Sequence, residues 1–524
     1  MTGFLDVVLR GLLLAWVSLA VGGVAWARLV LRAEPGTKPD AATRGALRVV
    51  AGAAALAALT QASVLAIVAG DLARSGLPAA AVMEAGFALT GLARVIGAAS
   101  LAVLASRLAR RPAGAVAWWA LAGLAVALVA SSAALSHAVA RMQERALLLG
   151  LDAAHQAAVA VWVGGLAHLT LYARRRRHEP EPRDLAVVAR FSIVATASVA
   201  VLAATGLVLA VRYVGDPGAL VGTAYGVMVL SKVVLFLAAL GLALANWRRV
   251  RRVDSEISPA TRLARFVEVE LGLGLTVLFA AASLTSLPPA ADVVADRATP
   301  REVAARLVPA PPRLASPAVG DLIRAADPLM APVGERRPIE RAWSEYNHHW
   351  AGIFVLAMGA LALLEAAGVR AARPWPLLFL GLGAFLFARN DPRAWPLGPA
   401  GFWESMTLPD VLQHRAFVAL VIAFGVFEWM VRSGRLAVRP WGYVFPLLCA
   451  GGGGLLLTHS HAMFNLKDEF LTEVTHTPIA VLGVFAGWGR WLELRWPEGG
   501  AWPGWLWRAC LAGVGAILLV YREG

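Results

Sequence analysis

The sequence has very little cysteine and little charge. Only two of its 524 residues are cysteines, Cys449 and Cys510, and they do not form a CxxC pair. This excludes a disulfide-stapled scaffold, a thiolate zinc or iron–sulfur site and covalently attached c-type haem. Charged residues make up 16% of the chain, whereas about a quarter is usual in soluble proteins. A soluble enzyme and a disordered protein are therefore excluded as well.

Apolar residues, by contrast, make up 59% of the chain, and the mean hydropathy is +0.65. They occur in blocks of about 20 residues, the length that a helix needs to cross a hydrocarbon layer of roughly 30 Å. The sequence therefore predicts an all-α, polytopic integral membrane protein, with the first block retained as a span. We predict fourteen transmembrane helices, eight and then six, at residues 4–31, 46–69, 85–106, 114–138, 146–173, 187–211, 223–246, 266–287, 348–368, 374–389, 411–431, 441–458, 474–490 and 503–521.

The formal net charge of +14 comes from arginines that are concentrated in every second loop. Because the cytoplasmic loops of membrane proteins collect Arg and Lys, we expect these loops to face the cytoplasm and both termini to face outward. We interpret basic runs such as Arg174 to Arg177 as topology signals. We do not expect them to bind nucleic acid.

One long hydrophilic segment, residues 288–345, carries ten prolines and equal numbers of acidic and basic residues. We expect an extracytoplasmic linker there, with short helices near 300–308 and 317–326. The predicted organisation is therefore an eight-span domain at 1–287, the linker, and a six-span, histidine-rich domain at 346–524.

Eight of the ten histidines fall on the predicted outer side of the membrane. In the second half, the span ends "YNHHW", "LQHRAF", "THSHAMF" and "EVTHTP" bring histidine to the same face. Imidazoles at one depth can converge between neighbouring helices and form a metal site. Imidazole suits copper, zinc, iron and nickel, and a methionine thioether favours copper(I). The predicted metal ligands of this half are His348, His349, His414, His459, His461, His476 and Met463.

Two other interpretations of these histidines stay open. Each one could be an interfacial side chain that only forms hydrogen bonds. In the metal-site interpretation, Glu473 is a supporting residue that could accept a hydrogen bond from a ligand or attract cations. Pairs of histidines on facing helices could instead ligate a b-type haem or bind a quinone, which would make the protein a redox protein.

The fifth predicted span carries a denser polar pattern. Asp152, His155 and Trp162 are three and seven residues apart and therefore line one helical stripe. Gly164 and Gly165 remove side chains, so we expect a neighbouring helix to approach closely there.

His155 lies well inside the predicted outer boundary, where an unpaired polar group is costly. It therefore needs a partner, and His137 at the outer end of the fourth span is the nearest candidate in sequence. Charged residues inside spans are also functional hypotheses. Arg94 is a candidate partner of Asp152, and Lys232 is a candidate structural counter-charge, with snorkelling to the interface as the alternative.

Several segments of the first half carry a family pattern: Ser-His-Ala at 136–138, "DAAHQAAVAVWVGGL" from Asp152, "ARFSIVATASVAVLAATGLVLA" from Ala189, "YGVMVLSKVVLFLAALGLALAN" from Tyr225 and "RFVEVELGLGLTVL" from Arg265. Over roughly residues 1–290, the chain resembles the copper resistance protein D (CopD) family of bacterial inner-membrane proteins. His137 and His155 are the positions that match the histidines of that family.

The resemblance implies copper handling at the inner membrane. In that membrane, the outward termini inferred from the arginine-rich loops would be periplasmic. The resemblance also implies movement of copper from the periplasm toward the cytoplasm, with a periplasmic copper carrier of the CopC type as a partner. We therefore expect a copper ion, Cu(I) or Cu(II), as the bound species. We also expect a transporter or metal-binding membrane protein rather than an enzyme. A copper-insertion or assembly factor that does not transport is the alternative within the same chemistry.

Overall fold

The structure is a computed structural model of the chain. It describes residues 2–141, 144–176, 183–250, 259–325, 337–458 and 467–523.

The fold is all-α, as the apolar blocks predict. Helices account for 81% of the structure, and no strand occurs among the described residues. In the described part of the chain, fourteen helical segments are long and apolar enough to cross a membrane, in agreement with the predicted number of spans. Their helices are α1 (Thr2–Ala25), α2 (Ala41–Arg74), α3 (Gly86–Leu108), α4 (Ala115–Ala133), α5 (Arg145–Arg176), α6 (Arg183–Val214), α7 (Ala224–Val250), α8 (Pro259–Leu284), α9 (Pro338–Ala366), α10 (Leu378–Arg389), α11 (Pro409–Arg432), α12 (Val444–Thr458), α13 (His476–Arg495) and α14 (Trp502–Leu519).

Two boundaries differ clearly from the prediction. Helix α9 begins ten residues before the predicted start at 348, because Pro338 occupies its first turn and Glu340 Oε2 accepts a hydrogen bond from the Arg337 backbone N–H (2.9 Å). The thirteenth span is preceded by a separate short helix, Lys467–Glu473.

The two short helices predicted in the hydrophilic segment are confirmed at Pro300–Arg306 and Val319–Ala325. Thr299 caps the first one in a capping box: its hydroxyl accepts from the Glu302 backbone N–H (3.3 Å), and Glu302 Oε2 accepts from the Thr299 backbone N–H (2.7 Å).

The described helices fall into two compact units. The eight-span unit comprises Thr2–Asp216 and Lys232–Asp292, and the six-span unit comprises Pro217–Ser231 and Val293–Gly524. Most of the predicted linker therefore packs as part of the six-span unit. Its first contact there is the hydrogen bond from the Ala298 backbone N–H to the Gly222 carbonyl (3.0 Å).

Glycine allows close helix packing in the eight-span unit. A Cβ at Gly164 on α5 would clash with the Ser18 carbonyl on α1, and a Cβ at Gly165 would lie 2.5 Å from the Phe191 ring on α6. The predicted close approach of neighbouring helices at these two glycines is confirmed.

The six-span unit uses the same device between α9 and α14. A Cβ at Gly359 would lie 2.5 Å from the Ala512 backbone, and a Cβ at Gly515 would clash with Leu356. Three large aromatic residues, Trp375, Phe445 and Trp507, fill the core of this unit and are at most 1% exposed. These contacts fix the ends of α9 and α14, where candidate site residues lie.

The segment after Val308 crosses the end of α9. The Ala310 backbone N–H donates to the Val520 carbonyl (3.0 Å), and Trp350 Nε1 donates to the Leu314 carbonyl (3.2 Å). This segment and the last residues of the chain therefore pack beside the first turns of α9.

Candidate functional site

A polar cluster lies between α5, α6 and α7 of the eight-span unit. Gln156 Nε2 donates to Asp152 Oδ2 (2.8 Å), and His155 Nδ1 is 3.1 Å from Thr205 Oγ1. The Lys232 ammonium interacts electrostatically with both Asp152 and His155. Asp152 is therefore the acidic partner of Lys232, which was predicted to be a structural counter-charge.

Thr205 fixes the tautomer of His155. Its hydroxyl donates to the Val201 carbonyl (2.7 Å), so its oxygen accepts the proton on His155 Nδ1. The lone pair of the neutral ring is then on Nε2. A hydrogen bond that orients one ring nitrogen while the other bears the lone pair is the usual arrangement of a metal-binding histidine.

His137 lies beside this cluster at the end of α4. It begins a short 3₁₀ turn, His137–Ala140, and its Nε2 donates to the Leu284 carbonyl (2.9 Å). Its ring interacts electrostatically with Asp152 and meets Tyr213 edge-on at 6.5 Å between centroids. The structure therefore brings His137 to the side of Asp152, with one ring nitrogen held by a backbone carbonyl.

Trp162, the third residue of the predicted stripe, has a packing contact. It is 4% exposed and meets the Phe236 ring edge-on at 5.6 Å. Phe236 is four residues after Lys232 on α7, so the polar and aromatic residues of α5 each have a partner on that helix.

Arg94 does not bond to Asp152, contrary to the sequence-based suggestion. Its Nη1 donates to Gln61 Oε1 (2.9 Å) and its Nε donates to Ser131 Oγ (3.2 Å). The arginine is only 7% exposed. Neutral polar groups on α2 and α4 therefore satisfy it inside the helix bundle.

The six-span unit contains a second polar site, which we call the histidine cavity. It has a volume of about 370 Å³, and side chains from separate helices line it. The predicted site residues among them are His348, His414, Glu473 and His476, accompanied by Tyr521.

Tyr521 lies between two of these histidines. Its ring stacks on His348 at 4.1 Å and meets His476 at 5.9 Å, and the two imidazoles are 5.5 Å apart, edge to face. The Tyr521 hydroxyl donates to the Thr472 carbonyl (3.2 Å), and His348 Nδ1 donates to the Ser344 carbonyl (2.8 Å). Residues near the end of the chain thus help to build this cavity.

His414 is oriented by an acidic side chain. Its Nδ1 is 2.6 Å from Asp391 Oδ1, and the Asp391 side chain is only 11% exposed. Such carboxylate–histidine pairs hold metal-binding imidazoles in place in many proteins.

His349 is turned away from the cavity. It is fully buried, its Nδ1 accepts from the Arg313 backbone N–H (2.6 Å), and its Nε2 donates to the Tyr521 carbonyl (2.8 Å). Both ring nitrogens bond to the backbone, so His349 links the segment at Arg313 to the C-terminal residues.

His459, His461 and Met463 lie outside the described residues. Leu456 before this segment and Thr472 after it both line the histidine cavity. Among the described residues, no three His, Cys, Asp or Glu side chains are close enough together to hold a metal ion. A metal ion at His348 and His476 would therefore need additional ligands.

A haem between His348 and His476 does not fit this geometry. Axial histidines face each other across the porphyrin plane, whereas these two rings meet edge to face at 5.5 Å with Tyr521 stacked on one of them. Within the described part of the chain, haem ligation by this pair is unsupported.

Comparison with known proteins identifies part of the eight-span unit. Residues 185–284 match the family described as copper resistance protein D. We call residues 185–284 the CopD segment because of their similarity to that family. The CopD segment contains Thr205 and Lys232 of the polar cluster, and Asp152 and His155 come before it.

One relative is the copper transport protein CutJ of Bacillus subtilis (strain 168). It is 31% identical over 163 residues, which are 31% of this chain and 29% of CutJ. The chain thus matches less than a third of the length of that relative. No solved structure matches this chain.

Sequence reasoning missed a buried charge network in the six-span unit, outside the CopD segment. Arginine and glutamate near the ends of four helices meet around the indole rings of Trp375 and Trp507. The six charged residues are Glu365, Glu428, Arg432, Arg490, Glu493 and Arg508.

Glu428 is the centre of this network. Its side chain is fully buried and accepts from Arg432 Nε (2.7 Å) and Arg490 Nη2 (3.2 Å). Arg490 also reaches Glu493 (2.5 Å), and Arg432 reaches Glu365 (2.5 Å). The only signal in the sequence was that these charges stand close to span ends, where exposed loop charges are also expected.

Proposed function

We propose that this membrane protein binds copper ions on its outer side and moves them across or within the membrane. The observation that carries the proposal is the convergence of His348, His414 and His476 on one cavity. The CopD segment and the similarity to a protein named as a copper transporter support copper as the transported ion.

The ligand chemistry of the histidine cavity suits copper. Imidazole nitrogen binds both Cu(I) and Cu(II), and a methionine thioether favours Cu(I). We propose that His459, His461 and Met463 complete the site, since the chain on both sides of their segment lines the cavity. Ligands that exchange readily bind an ion strongly enough to capture it and weakly enough to release it.

A second copper position is proposed at the polar cluster of the eight-span unit. His155 would present Nε2, and Asp152 would supply a carboxylate, with His137 beside them. Hydrogen bonds already orient His155 and Asp152, so little side-chain ordering would be needed when an ion arrives.

The orientation and the partners of the protein follow from the same proposal. We place it in the bacterial inner membrane with the histidine cavity on the periplasmic side, because the arginine-rich loops lie at the other ends of the spans. A periplasmic carrier of the CopC type as the copper donor stays a prediction.

The test is the copper content of detergent-purified protein, measured by elemental analysis after dialysis against a copper buffer. We expect His459→Ala, His461→Ala and His476→Ala each to lower the bound copper. The matched control is His178→Ala, since this histidine directly follows the arginine run 174–177, which the sequence assigns to the cytoplasmic side. Equal copper content in all four variants and the wild type would contradict the histidine cavity as the site.

Transport and metal insertion are separated by measuring cellular copper. Cells that express the protein should accumulate a different amount of copper from cells that do not, and His476→Ala should remove the difference. Copper that binds to the purified protein without any change in cellular accumulation would indicate an insertion factor instead.

A further inference from the structure

A second cavity opens at the arginine-rich end of the eight-span unit. We call it the arginine cavity, and its volume is about 410 Å³. It lies between the first turns of α2, the last turns of α5, the start of α6 and the turn that follows α1. The lining residues that matter here are Trp26, Gly45, Tyr172, Arg175, Arg176 and Arg183.

The lining of the arginine cavity is positively charged. Three arginines line it, and no acidic residue does. Asp184 lies 3.9 Å from Arg176 Nε, and Asp40 lies 2.8 Å from Arg183 Nη1, both outside the lining. Arg176 and Arg183 therefore each have a carboxylate partner among the described residues.

Arg175 supplies the uncompensated charge. It forms no ion pair with another described residue, and it is exposed at the cavity. The Arg175 guanidinium lies directly over Gly45, because a Cβ at Gly45 would meet Arg175 Nη1. An anion bound by Arg175 would therefore lie beside the first turns of α2.

The acidic residues near the cavity are held by other groups. The Tyr172 hydroxyl donates to Asp184 Oδ1 (2.5 Å), and Asp184 is only 4% exposed. Asp40 caps α2 by accepting from the Thr43 backbone N–H (2.7 Å). Burial raises the pKa of Asp40, but the hydrogen bonds from Thr43 and Arg183 outweigh that effect and hold the pKa below its usual value. Asp40 therefore keeps its negative charge and its structural role at neutral pH.

We propose that the arginine cavity binds a phosphate group, and specifically the headgroup phosphate of an anionic phospholipid. The planar guanidinium group offers paired donors that match phosphate oxygens. Basic pockets between membrane helices are known lipid headgroup sites. The indole of Trp26 forms an apolar wall, and Leu29 and Leu185 close by in the chain are 54% and 56% exposed, which suits the acyl chains. This site is independent of the copper proposal.

The test is lipid binding to delipidated protein in detergent, measured by native mass spectrometry. The probes are phosphatidylglycerol, phosphatidylcholine and inorganic phosphate, each added alone. We expect phosphatidylglycerol to bind more tightly than phosphatidylcholine. Arg175→Gln should weaken its binding about tenfold, the effect of losing a charge-assisted hydrogen bond. Arg175→Lys, which keeps the charge but loses the paired donors, should give an intermediate value.

Arg174→Gln is the matched control. This neighbouring residue carries the same charge on the same helix, but it pairs with Glu268 (3.2 Å) and does not line the cavity. It should change lipid binding less than twofold. If phosphate alone shows the same dependence on Arg175, the phosphate site is supported with the free ion as its source. Equal losses in the two glutamine variants, or equal binding of the two lipids, would overturn the proposal.

Discussion

Removal of the Glu428 carboxylate should strongly destabilise the six-span unit. In Glu428→Ala, Arg432 and Arg490 lose the hydrogen bonds of 2.7 and 3.2 Å that they make with this buried side chain. Breaking a buried ion pair by removing one partner costs about 3–5 kcal/mol. Glu365 and Glu493 remain bound to the two arginines. We therefore expect a loss near the lower end of that range, about 3 kcal/mol.

The measurement is unfolding in mixed micelles of increasing SDS content, followed by tryptophan fluorescence. Trp507 is one of the 19 tryptophans that contribute to this signal, and the guanidinium carbons of Arg508 and Arg490 lie 4.5 and 5.6 Å from its ring centroid. Glu404→Ala is the control, because Glu404 is exposed and outside the network, and its carboxylate accepts a hydrogen bond from the Gly401 backbone N–H (3.2 Å). Loss of one such hydrogen bond costs about 1 kcal/mol, well below the loss expected for Glu428→Ala.

A double variant separates loss of charge balance from simple loss of packing. Glu428→Leu combined with Arg432→Met removes one charge of each sign and keeps similar volume. Such replacements of buried pairs by apolar residues are often neutral, so the double variant should be more stable than Glu428→Ala. The reasoning fails if Glu428→Ala and Glu404→Ala unfold at the same SDS content.

Three further predictions concern packing, orientation and pH. Gly164→Val should lower the melting temperature in detergent, because the new side chain would meet the Ser18 carbonyl. Gly150→Val is the control, since the space around Gly150 on the same helix is open. Equal melting temperatures of the two variants would refute the packing argument. A C-terminal alkaline phosphatase fusion should be active and a GFP fusion dark, and the reverse pattern would place the C-terminus in the cytoplasm. Hydrogen bonds from Lys467 and from Thr299 lower the pKa of Glu302 from its usual 4.5 to about 2. The ionised Glu302 carboxylate should therefore stabilise the fold above pH 4.5, and this stabilisation should be lost as the pH falls toward 2. Glu302→Gln should therefore differ in melting temperature from the wild type at pH 6, and a difference that grows on acidification would contradict this sign.

Local patterns in the sequence predict most of the fold. The fourteen spans could be predicted from runs of apolar residues. A backbone in lipid must form its hydrogen bonds within its own segment, so each run forms a helix independently of the neighbouring segments. The short helix at Pro300–Arg306 follows from Thr299, Pro300 and Glu302, whose capping bonds are made within one turn. The close contact at Gly164 follows from the absence of a side chain.

Contacts between distant residues could not be predicted in this way. Arg94 bonds to Gln61 and Ser131, which are 33 and 37 residues away, and any polar group at that depth would have been a plausible partner. His349 and His348 are adjacent in sequence, yet successive residues on a helix point in different directions. One faces the cavity and the other is bound by the backbone, and only the packing of α9 decides which.

The position of the Tyr521 ring could not be predicted from the sequence either. Nothing in the sequence near the end of the chain indicated that its ring would stack on His348. The candidate ligands of the histidine cavity were predicted from residue type and span ends, whereas the aromatic side chain between them became visible only through the tertiary structure.

The pairing pattern of the buried charges also bears on how the protein is made. Glu428 and Arg432 are one turn apart on α11, and Arg490 and Glu493 are one turn apart on α13. Inserting a single charged residue at the centre of a membrane helix costs about 2.5–3.5 kcal/mol on the scale measured for the translocon. The four charges lie near the helix ends, where the cost is smaller, and the counter-ion that each helix carries for Glu428 or Arg490 lowers it further while the helix enters the bilayer. The contacts between the helices can then form later, when both are already in the bilayer.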